Sequence, residues 1–241
     1  MPCHYRFVQR IAAVTSLESD ALAAAYSVPS ADEWRAGRWV RVNFVMSLDG
    51  SIVGSEGLSR SLGTEADRAA FWTARGMADV LLVGAQTIRS EDYRPSPIPV
   101  AIVTASLDLD PGLRMFAERT PEHARPVVLT THDRATQAPQ WLREVADVLS
   151  CGSEAVDLAQ AVSLLVARGW PRILCEGGPM LLEGLIEHDL VDELLLTLAP
   201  RLVGSSRHLV THLGGWRPPR RLVPSLVVEH EGTVLTRYRR P

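Results

Sequence analysis

A carboxylate followed by two glycines and a proline is the stretch of this sequence with the clearest chemical potential. Glu176-Gly177-Gly178-Pro179 follows a short apolar run and precedes leucines at helical spacing, so the pattern predicts a strand, a glycine turn and a helix. The N–H groups at a helix N-terminus attract anions, and glycines let a phosphate approach the backbone. Because paired glycines also occur in ordinary turns, the spacing alone leaves anion binding open.

Three other predicted strands end in similar residues. Small or hydroxyl-bearing side chains follow apolar runs at Met46-Ser47, from Gly84 to Thr87, and from Thr104 to Ser106. The carboxyl ends of parallel strands lie side by side at one edge of a sheet. Together with the glycine turn, these ends could line a cleft for an extended phosphorylated ligand such as a dinucleotide. Thr87 could bond a ligand phosphate there, or it could cap a short helix.

Hydrophobic periodicity supplies the elements that must position these residues. The predicted strands cover residues 39–46, 79–84, 100–104, 127–131, 145–149, 173–175 and 194–198, a hairpin covers 225–229 and 233–238, and helices cover 19–26, 65–75, 158–166 and 179–187. This pattern predicts an α/β fold with a mixed, mostly parallel sheet flanked by helices and an antiparallel hairpin at the carboxyl terminus. Residues 1–38 are expected to form an arm packed on a main domain of residues 39–241.

Two aspartates each have a structural and a chemical interpretation. Asp49 precedes a glycine, and closing an Asx-type turn is favoured over direct catalysis. Asp67 lies three residues after Thr64 and resembles the partner residue of a capping box. Its alternative is a buried carboxylate that faces a nitrogen heterocycle.

Composition excludes several classes of protein. The 241 residues are 46% hydrophobic and 22% charged, with a formal net charge of −3, which gives no electrostatic case for binding nucleic acid or an anionic membrane. Three widely spaced cysteines fit a reducing cytoplasm and argue against disulfides or a cysteine zinc site. The sequence has neither a long apolar run nor a secretory leader pattern, so we expect a cytoplasmic protein.

Common catalytic motifs are missing from the sequence. His208 and His212 are four residues apart, but Leu209 stands where the helical zinc motif carries a glutamate, so no metal site is predicted. Neither a P-loop nor a GxSxG elbow occurs, and no GxGxxG follows a predicted strand. The signature of the zinc nucleobase deaminases is missing as well.

Three segments, taken together, resemble a known family. NFVMSLDGSI, ADVLLVGAQTIRSED and the stretch from ILCEGGPM to APRLVG resemble the reductase domain of riboflavin biosynthesis, the RibD carboxyl-terminal family. The resemblance implies a dihydrofolate-reductase-like fold, NADPH as the cofactor and a homodimer. It also implies reduction of the ribose of 5-amino-6-ribosylaminopyrimidinedione 5′-phosphate to a ribityl chain. The family's deaminase domain has no counterpart in this sequence, so we expect another protein to supply the deamination.

The resemblance also assigns residues to a cofactor and a substrate. Positions that match cofactor contacts are Met46, Ser61, Thr87, Glu91 and Gly177-Gly178-Pro179-Met180, to which the argument from strand ends adds Gly84 and Thr104. Positions that match substrate contacts are Ser59, Arg75 and Glu176. Arg75 would pair with the substrate phosphate, although an arginine in the last turn of a helix is also favoured by the helix dipole. No catalytic residue is assigned.

One segment departs from the family and leaves the substrate open. After the Thr87 position the family usually carries Asp-Asp-Pro and then Leu-Thr-Val-Arg, whereas this chain reads Glu91-Asp92-Tyr93-Arg94-Pro95-Ser96. Arg94 is a candidate for the displaced arginine. Three hypotheses follow: reduction of the pyrimidine sugar phosphate, a dihydrofolate or pterin reductase-like activity in which Asp67 faces the heterocycle, and a non-catalytic NADP-binding protein.

Overall fold

The computed structural model describes residues 19–204, 207–210 and 221–241. Within them, nine strands form one sheet: β1 (Trp39–Ser47), β2 (Val80–Gly84), β3 (Val100–Val103), β4 (Val127–Thr130), β5 (Asp147–Ser150), β6 (Arg172–Cys175), β7 (Glu193–Ala199), β8 (Val223–His230) and β9 (Thr233–Arg239). The strand order is β5-β4-β3-β2-β6-β1-β7-β9-β8. Neighbours from β5 to β7 are parallel, and β9 is antiparallel to both β7 and β8.

Helices cover both faces of this sheet. They are α1 (Ser19–Ala25), α2 (Glu65–Gly76), α3 (Ala85–Ser90), α4 (Arg114–Ala117), α5 (His132–Thr136), α6 (Gln140–Val145), α7 (Leu158–Ala167) and α8 (Pro179–Glu187), with 3-10 turns at Ala31–Glu33 and Ser59–Ser61. The longer helices begin where the sequence predicts. The side chains of Thr64 and Asp157 accept the first free N–H groups of α2 and α7, and Pro179 opens α8, because caps and an N-terminal proline satisfy groups that have no partner inside the helix.

The alternation of side chains along the parallel strands builds two cores. On one face, Val40, Val42 and Phe44 of β1 pack with residues of α7 and α8. On the other face, the alanines of α2 pack with Leu81 and with Leu22 of α1. A strand buried on both faces has apolar residues throughout, as β2 does. The mostly parallel sheet, its flanking helices and its antiparallel carboxyl-terminal hairpin confirm the predicted fold class.

One predicted strand is displaced. The sequence places it at 145–149, but α6 ends at Val145 and β5 runs from Asp147 to Ser150. Leu142 is buried and Val145 half-buried, and the two are three residues apart on the core face of α6, so tertiary packing holds Val145 in the helix. No helix among the described residues is both long and apolar enough to cross a membrane.

A buried group of charges joins α1 to the sheet; we call Arg41, Glu193 and Arg237 the sheet cluster. The carboxylate of Glu193 accepts from both guanidinium groups and from the Trp39 indole. Arg41 also donates to the Tyr26 carbonyl at 2.6 Å, and Arg237 donates to carbonyls of residues 25 and 27. These arginines therefore satisfy carbonyls at the end of α1 that lack helical partners. The division into an arm and a main domain remains a prediction, because residues 1–18 lie outside the described part.

Candidate active site

A cleft of about 930 Å³ opens at the carboxyl edge of the parallel strands. Its walls come from the ends of β1, β2 and β3, the loop that contains Ser59, the start of α2 and the glycine turn before α8. Among the residues assigned from the sequence, the wall includes Ser59, Gly84, Thr87, Glu91, Thr104, Glu176, Gly177, Gly178, Pro179 and Met180. The topology therefore gathers four separate strand ends around one cavity, whose volume suits a large organic ligand.

The glycine turn is closely packed against other side chains. Gly177 has a φ of +107°, and a Cβ added there would lie 3.4 Å from the Phe44 ring. A Cβ on Gly178 would lie 3.2 Å from the Thr87 hydroxyl. The N–H of Gly84 donates to the Gly177 carbonyl at 2.8 Å, which ties the turn to the end of β2. The peptide bond between the two glycines is cis. A ligand can therefore approach this backbone without meeting a side chain of the turn.

The helix that follows the turn presents its N-terminus to the cleft. Pro179 is the first residue of α8, and the Met180 side chain is 81% exposed beside it. The Thr87 hydroxyl lies next to the turn, at the start of α3. The positive end of a helix dipole, free N–H groups and a hydroxyl make a suitable site for a phosphate group.

A hydrogen bond joins two assigned residues at the cleft rim. The Glu91 carboxylate, just after α3, accepts from the backbone N–H of Ser59 at 2.8 Å. This bond holds the loop before α2 against the end of α3. The sequence assigns Glu91 to the cofactor and Ser59 to the substrate, and the structure places them in contact with each other.

Arg75 and Glu176 pair with each other inside the protein. Nε and a terminal nitrogen of Arg75 each donate to a Glu176 carboxylate oxygen at 2.7 Å. The Tyr93 hydroxyl accepts from Arg75 at 2.7 Å and donates to Glu176. We call Arg75, Tyr93 and Glu176 the cleft cluster. Glu176 lines the cleft, whereas Arg75 lies behind it and is not part of the wall.

Burial and charge set the protonation of the cleft cluster. Burial and the Glu176 carboxylate raise the pKa of Tyr93 well above 10, so its hydroxyl stays protonated and able to donate. Burial by itself would lower the pKa of Arg75, but Glu176 and Tyr93 raise it. Arg75 also lies over the Phe71 ring, with its guanidinium carbon 4.3 Å from the ring centroid. The cluster is therefore a closed arrangement of a cation, an anion and a neutral phenol.

Two residues assigned to the cofactor do not reach the cleft wall. Met46 is half-buried and packs against the core on the α7 and α8 side of the sheet. The Ser61 hydroxyl donates to the Leu58 carbonyl at 2.9 Å, and it lies so close to Gly54 that a Cβ there would be 2.0 Å away. Thr104 lines the wall, but its hydroxyl accepts the Leu107 N–H at 3.0 Å and so shapes the local turn.

The two ambiguous aspartates have different surroundings. Asp49 accepts from the Ser47 hydroxyl and from the N–H groups of Val203 and Gly204, and these hydrogen bonds lower its pKa to about 2. It therefore joins the loops after β1 and β7, which extends the predicted turn role. Asp67 gives its backbone N–H to Thr64 and is itself one of the residues that line the cleft. Burial raises the pKa of Asp67, and the Thr197 hydroxyl and Arg68 offset part of the rise.

Several residues of the site carry little signal in the sequence. Tyr93 lies in a proline-rich loop, and the Phe44 ring under the glycine turn has the pattern of an ordinary core residue. Only the substitution at the family's usual proline position marks Tyr93 as unusual. His208 lies at the cleft wall, with a ring nitrogen 3.3 Å from the Gly50 carbonyl. The other histidine of the pair, His212, lies outside the described residues.

The fold and the cleft together define the class: an α/β protein with a ligand cleft at the carboxyl edge of its sheet. The RibD C-terminal domain family matches residues 38–227 of the chain. The chain belongs to this family. The match covers β1 to β7 and the glycine turn.

Individual relatives agree with this assignment. The chain is 30% identical over 182 residues to the 2,5-diamino-6-ribosylamino-4(3H)-pyrimidinone 5′-phosphate reductase of Methanothermobacter thermautotrophicus, covering 69% of this chain and 79% of that protein. The enzyme of the same name from Archaeoglobus fulgidus is 26% identical, with 69% and 82% covered. A pyrimidine reductase-like protein from Corynebacterium diphtheriae has the same fold, with a TM-score of 0.77, 24% identity and coverage of 90% and 97%.

Proposed function

We propose that this protein is an NADPH-dependent oxidoreductase that reduces the ribose of a ribosylaminopyrimidine 5′-phosphate to a ribityl chain. The observation that carries the proposal is one cleft that holds both an open glycine turn at a helix N-terminus and, next to it, a fixed carboxylate, Glu176. The sequence resemblance points to the 5-amino pyrimidinedione form of the substrate. Relatives from three organisms are named for the 2,5-diamino pyrimidinone form, so both forms are substrates to test.

The residues at the turn suit a nicotinamide dinucleotide. The backbone of Gly177 and Gly178, the start of α8 and the Thr87 hydroxyl would hold its phosphate groups. Gly84 and Thr104 would form the adjoining wall. When bound, NADPH supplies a hydride from C4 of its nicotinamide ring. The contribution of the protein is to hold that carbon against the sugar and to exclude water.

The substrate would lie on the same side of the cleft as Ser59 and Glu176. A carboxylate accepts hydrogen bonds from sugar hydroxyl groups, and the Glu176 side chain is only 4% exposed, so it is held in one position. The Ser59 hydroxyl adds a neutral partner on the loop before α2. These two polar groups would orient the ribose for hydride transfer.

The cofactor site can be tested with two glycine variants. Gly178→Ala places a methyl group 3.2 Å from Thr87, and we expect NADPH to bind about tenfold more weakly. Gly76→Ala is the matched control, because a Cβ there meets nothing within 4 Å. Calorimetry measures the affinities of the parent protein and of both variants for NADPH and for NADH. Equal affinities for NADPH in the variants, or a preference for NADH in the parent protein, would contradict the proposed cofactor site.

The reaction is tested by NADPH oxidation, followed at 340 nm, with each form of the pyrimidine substrate. We expect turnover with at least one form and a ribityl product by mass spectrometry. Tight NADPH binding without turnover of either form would instead support the non-catalytic NADP-binding protein.

A second candidate rests on the position of Asp67. Asp67 is half-buried at the cleft wall, where its carboxylate could pair with the amino-pyrimidine edge of a pterin or dihydrofolate. This activity predicts NADPH oxidation with dihydrofolate that is lost in Asp67→Asn. The absence of any dihydrofolate-dependent rate in the parent protein would exclude it.

We also infer a cytoplasmic homodimer from the family resemblance. Among the described strands, β8 is the last of the sheet, and an unpaired edge is a common site of association. Cys151 and Cys175 are free and buried, as expected in a reducing compartment. Sedimentation equilibrium should give twice the chain mass of 26.4 kDa; the mass of a single chain at micromolar concentration would refute the dimer.

A further inference from the structure

A second set of hydrogen-bond donors lies in the cleft wall, at the turn that follows β3. Thr104, Ala105 and Ser106 form the wall there, together with Gln86 and Arg89 of α3. Within the part of the chain that the structure describes, the backbone N–H groups of Ala105 and Ser106 have no acceptor. The Ser106 hydroxyl accepts the N–H of residue 108 at 3.2 Å, so its own hydrogen can still be donated. These donors are available to a ligand in the cleft.

Arg89 reaches this turn from α3 and is held beside it. One terminal nitrogen donates to the Asp108 carbonyl at 2.6 Å, and the other donates to the Gln86 side chain at 2.7 Å. Gln86 and Arg89 share one face of α3 because they are three residues apart, while the Thr87 hydroxyl lies beside the glycine turn. These bonds fix the guanidinium and leave further N–H groups of it available. Arg89 is therefore positioned before any ligand binds.

Arg89 is also the residue that brings positive charge to this part of the wall. Residues 104–108 contain no arginine, lysine or histidine. Their charged member is Asp108, whose side chain is 72% exposed and lies 3.3 Å from Arg89. Such an exposed pair contributes little, because water screens it, so Arg89 can bind a second anion. Other cations of the described wall come from the loop before α2, from α2 and from the segment after β7: Arg60, Arg68, Arg207 and His208.

The turn after β3 is separated from the glycine turn along the edge of the sheet. β3 pairs with β2, and β2 pairs with β6, whose end carries the glycine turn. Adjacent strands lie about 4.8 Å apart, so the ends of β3 and β6 are about 10 Å apart. A nicotinamide dinucleotide carries its pyrophosphate near the middle, and NADPH carries a further phosphate on the 2′ oxygen of the adenosine ribose. Two separate groups of anion donors in one cleft match this arrangement.

We propose that Arg89 selects NADPH over NADH by pairing with the 2′-phosphate, together with the N–H groups of Ala105 and Ser106. The inference rests on the proposed function and makes its cofactor end more specific. The glycine turn would hold the pyrophosphate, which both dinucleotides share, and the turn after β3 would hold the group that distinguishes them. Arginine suits this role, because its planar guanidinium makes short, charge-assisted hydrogen bonds to phosphate oxygens.

Calorimetry tests the inference by binding alone, without turnover. We expect Arg89→Gln to bind NADPH about 10-fold to 100-fold more weakly than the parent protein. Its affinity for NADH should not change, because NADH lacks the group that Arg89 contacts. Adenosine 2′,5′-bisphosphate, which carries the 2′-phosphate but no nicotinamide, should lose affinity by the same factor as NADPH. Arg89→Lys keeps the charge without the planar fork, so its affinity for NADPH should lie between those of the parent protein and Arg89→Gln.

Three results would overturn the inference. Equal losses for NADPH and NADH in Arg89→Gln would report a disturbed wall instead of a lost phosphate contact. An unchanged preference for NADPH in Arg89→Gln would reject Arg89 as the selecting residue while leaving the proposed function intact. Binding of NADPH by Arg89→Lys that is no tighter than by Arg89→Gln would reject the role of the charge. If the parent protein binds neither dinucleotide, the proposed function fails and the inference falls with it.

Arg114→Gln is the matched control. Arg114 is 30% exposed, as Arg89 is, and it also forms ion pairs, with Asp92 and Glu118. It lies on α4 and is not part of the cleft wall. Its replacement should leave the affinities for NADPH, NADH and the bisphosphate unchanged. A loss of NADPH affinity equal to that in Arg89→Gln would show that the effect of Arg89 is not specific and would reject the inference.

Discussion

The cleft cluster and the sheet cluster contain the same pairing of arginine and glutamate at opposite ends of the parallel sheet. Glu193 begins β7, where Arg41 and Arg237 enclose its carboxylate completely. Glu176 follows the end of β6 and is one of the residues that line the cleft. Ligands bind at the carboxyl ends of strands in open α/β sheets. Both clusters contain the same type of ion pair, so the ion pair does not show which of them is functional. The end of the strand at which the cluster lies does: the amino end for the sheet cluster and the carboxyl end for the cleft cluster.

The surrounding charges distinguish these carboxylates further. Burial by itself would raise the pKa of Glu193, but Arg41 and Arg237 lower it below its usual value of 4.5. Burial raises the pKa of Asp67, and its weaker partners offset only part of the rise. The two arginines therefore outweigh the burial of Glu193, whereas the partners of Asp67 do not outweigh its burial.

The largest expected effect is on stability, in the sheet cluster. Glu193→Gln leaves two buried arginines without their carboxylate, and we expect the free energy of unfolding to fall by about 3–5 kcal/mol. Urea denaturation measures it. Because the folded pKa of Glu193 is lowered, its contribution is present above pH 4.5 and is lost as the pH falls through the folded value. The variant should therefore lose less stability than the parent protein on acidification.

A matched exposed pair provides the control for this variant. Glu118 forms an ion pair with Arg114 on the surface, and Glu118→Gln should leave the denaturation midpoint unchanged, because exposed pairs contribute little. Equal midpoints for Glu193→Gln and Glu118→Gln would mean that the sheet cluster is not a source of stability.

The second expected effect concerns Glu176, whose replacement should reduce activity more than stability. Glu176→Gln should lower the free energy of unfolding by about 1–3 kcal/mol, less than Glu193→Gln, since water in the cleft can solvate part of the site. It should lower kcat/KM by about 100-fold, measured by NADPH oxidation. Full activity in Glu176→Gln would show that the Glu176 carboxylate is not needed for the reaction.

The smallest expected effect concerns Asp67. Its raised pKa means that the folded state binds the proton more tightly, so stability falls as the pH rises through the folded pKa. Asp67→Asn does not titrate, and we expect its unfolding free energy at pH 7 to equal or slightly exceed that of the parent protein. Urea denaturation between pH 4 and 8 checks this. A clear loss of stability in Asp67→Asn at pH 7 would show that the anion makes hydrogen bonds that the fold needs.

Much of the fold could be predicted from local patterns. Thr64, Asp157 and Pro179 mark helix starts because capping depends on neighbours within a few residues. The apolar run of β2 predicts a central strand because burial on both faces leaves no polar position. The displaced start of β5 was not predictable in this way, since Val145 belongs to a helix only through its packing on the core.

The site was predictable only in part. Paired glycines predict the turn, and apolar runs followed by small residues predict the strand ends. The structure brings the turn and the strand ends together around the cleft. The assignments of Met46, Ser61 and Arg75 come from the resemblance, with Met46 also at a predicted strand end, and none of the three is part of the cleft wall. The Arg75 side chain is directed by Glu176, which is 101 residues away in sequence, so no local pattern records this contact.

The sequence by itself determined the order of the elements, the helix caps and the glycine turn before α8, because these depend on neighbouring residues and on backbone sterics. Only the tertiary structure decided that Arg75 binds Glu176, that Tyr93 joins them, and that Glu193 lies at the closed end of the sheet. Ion pairs between distant segments depend on how the strands are ordered, and strand order is a property of the whole packed chain.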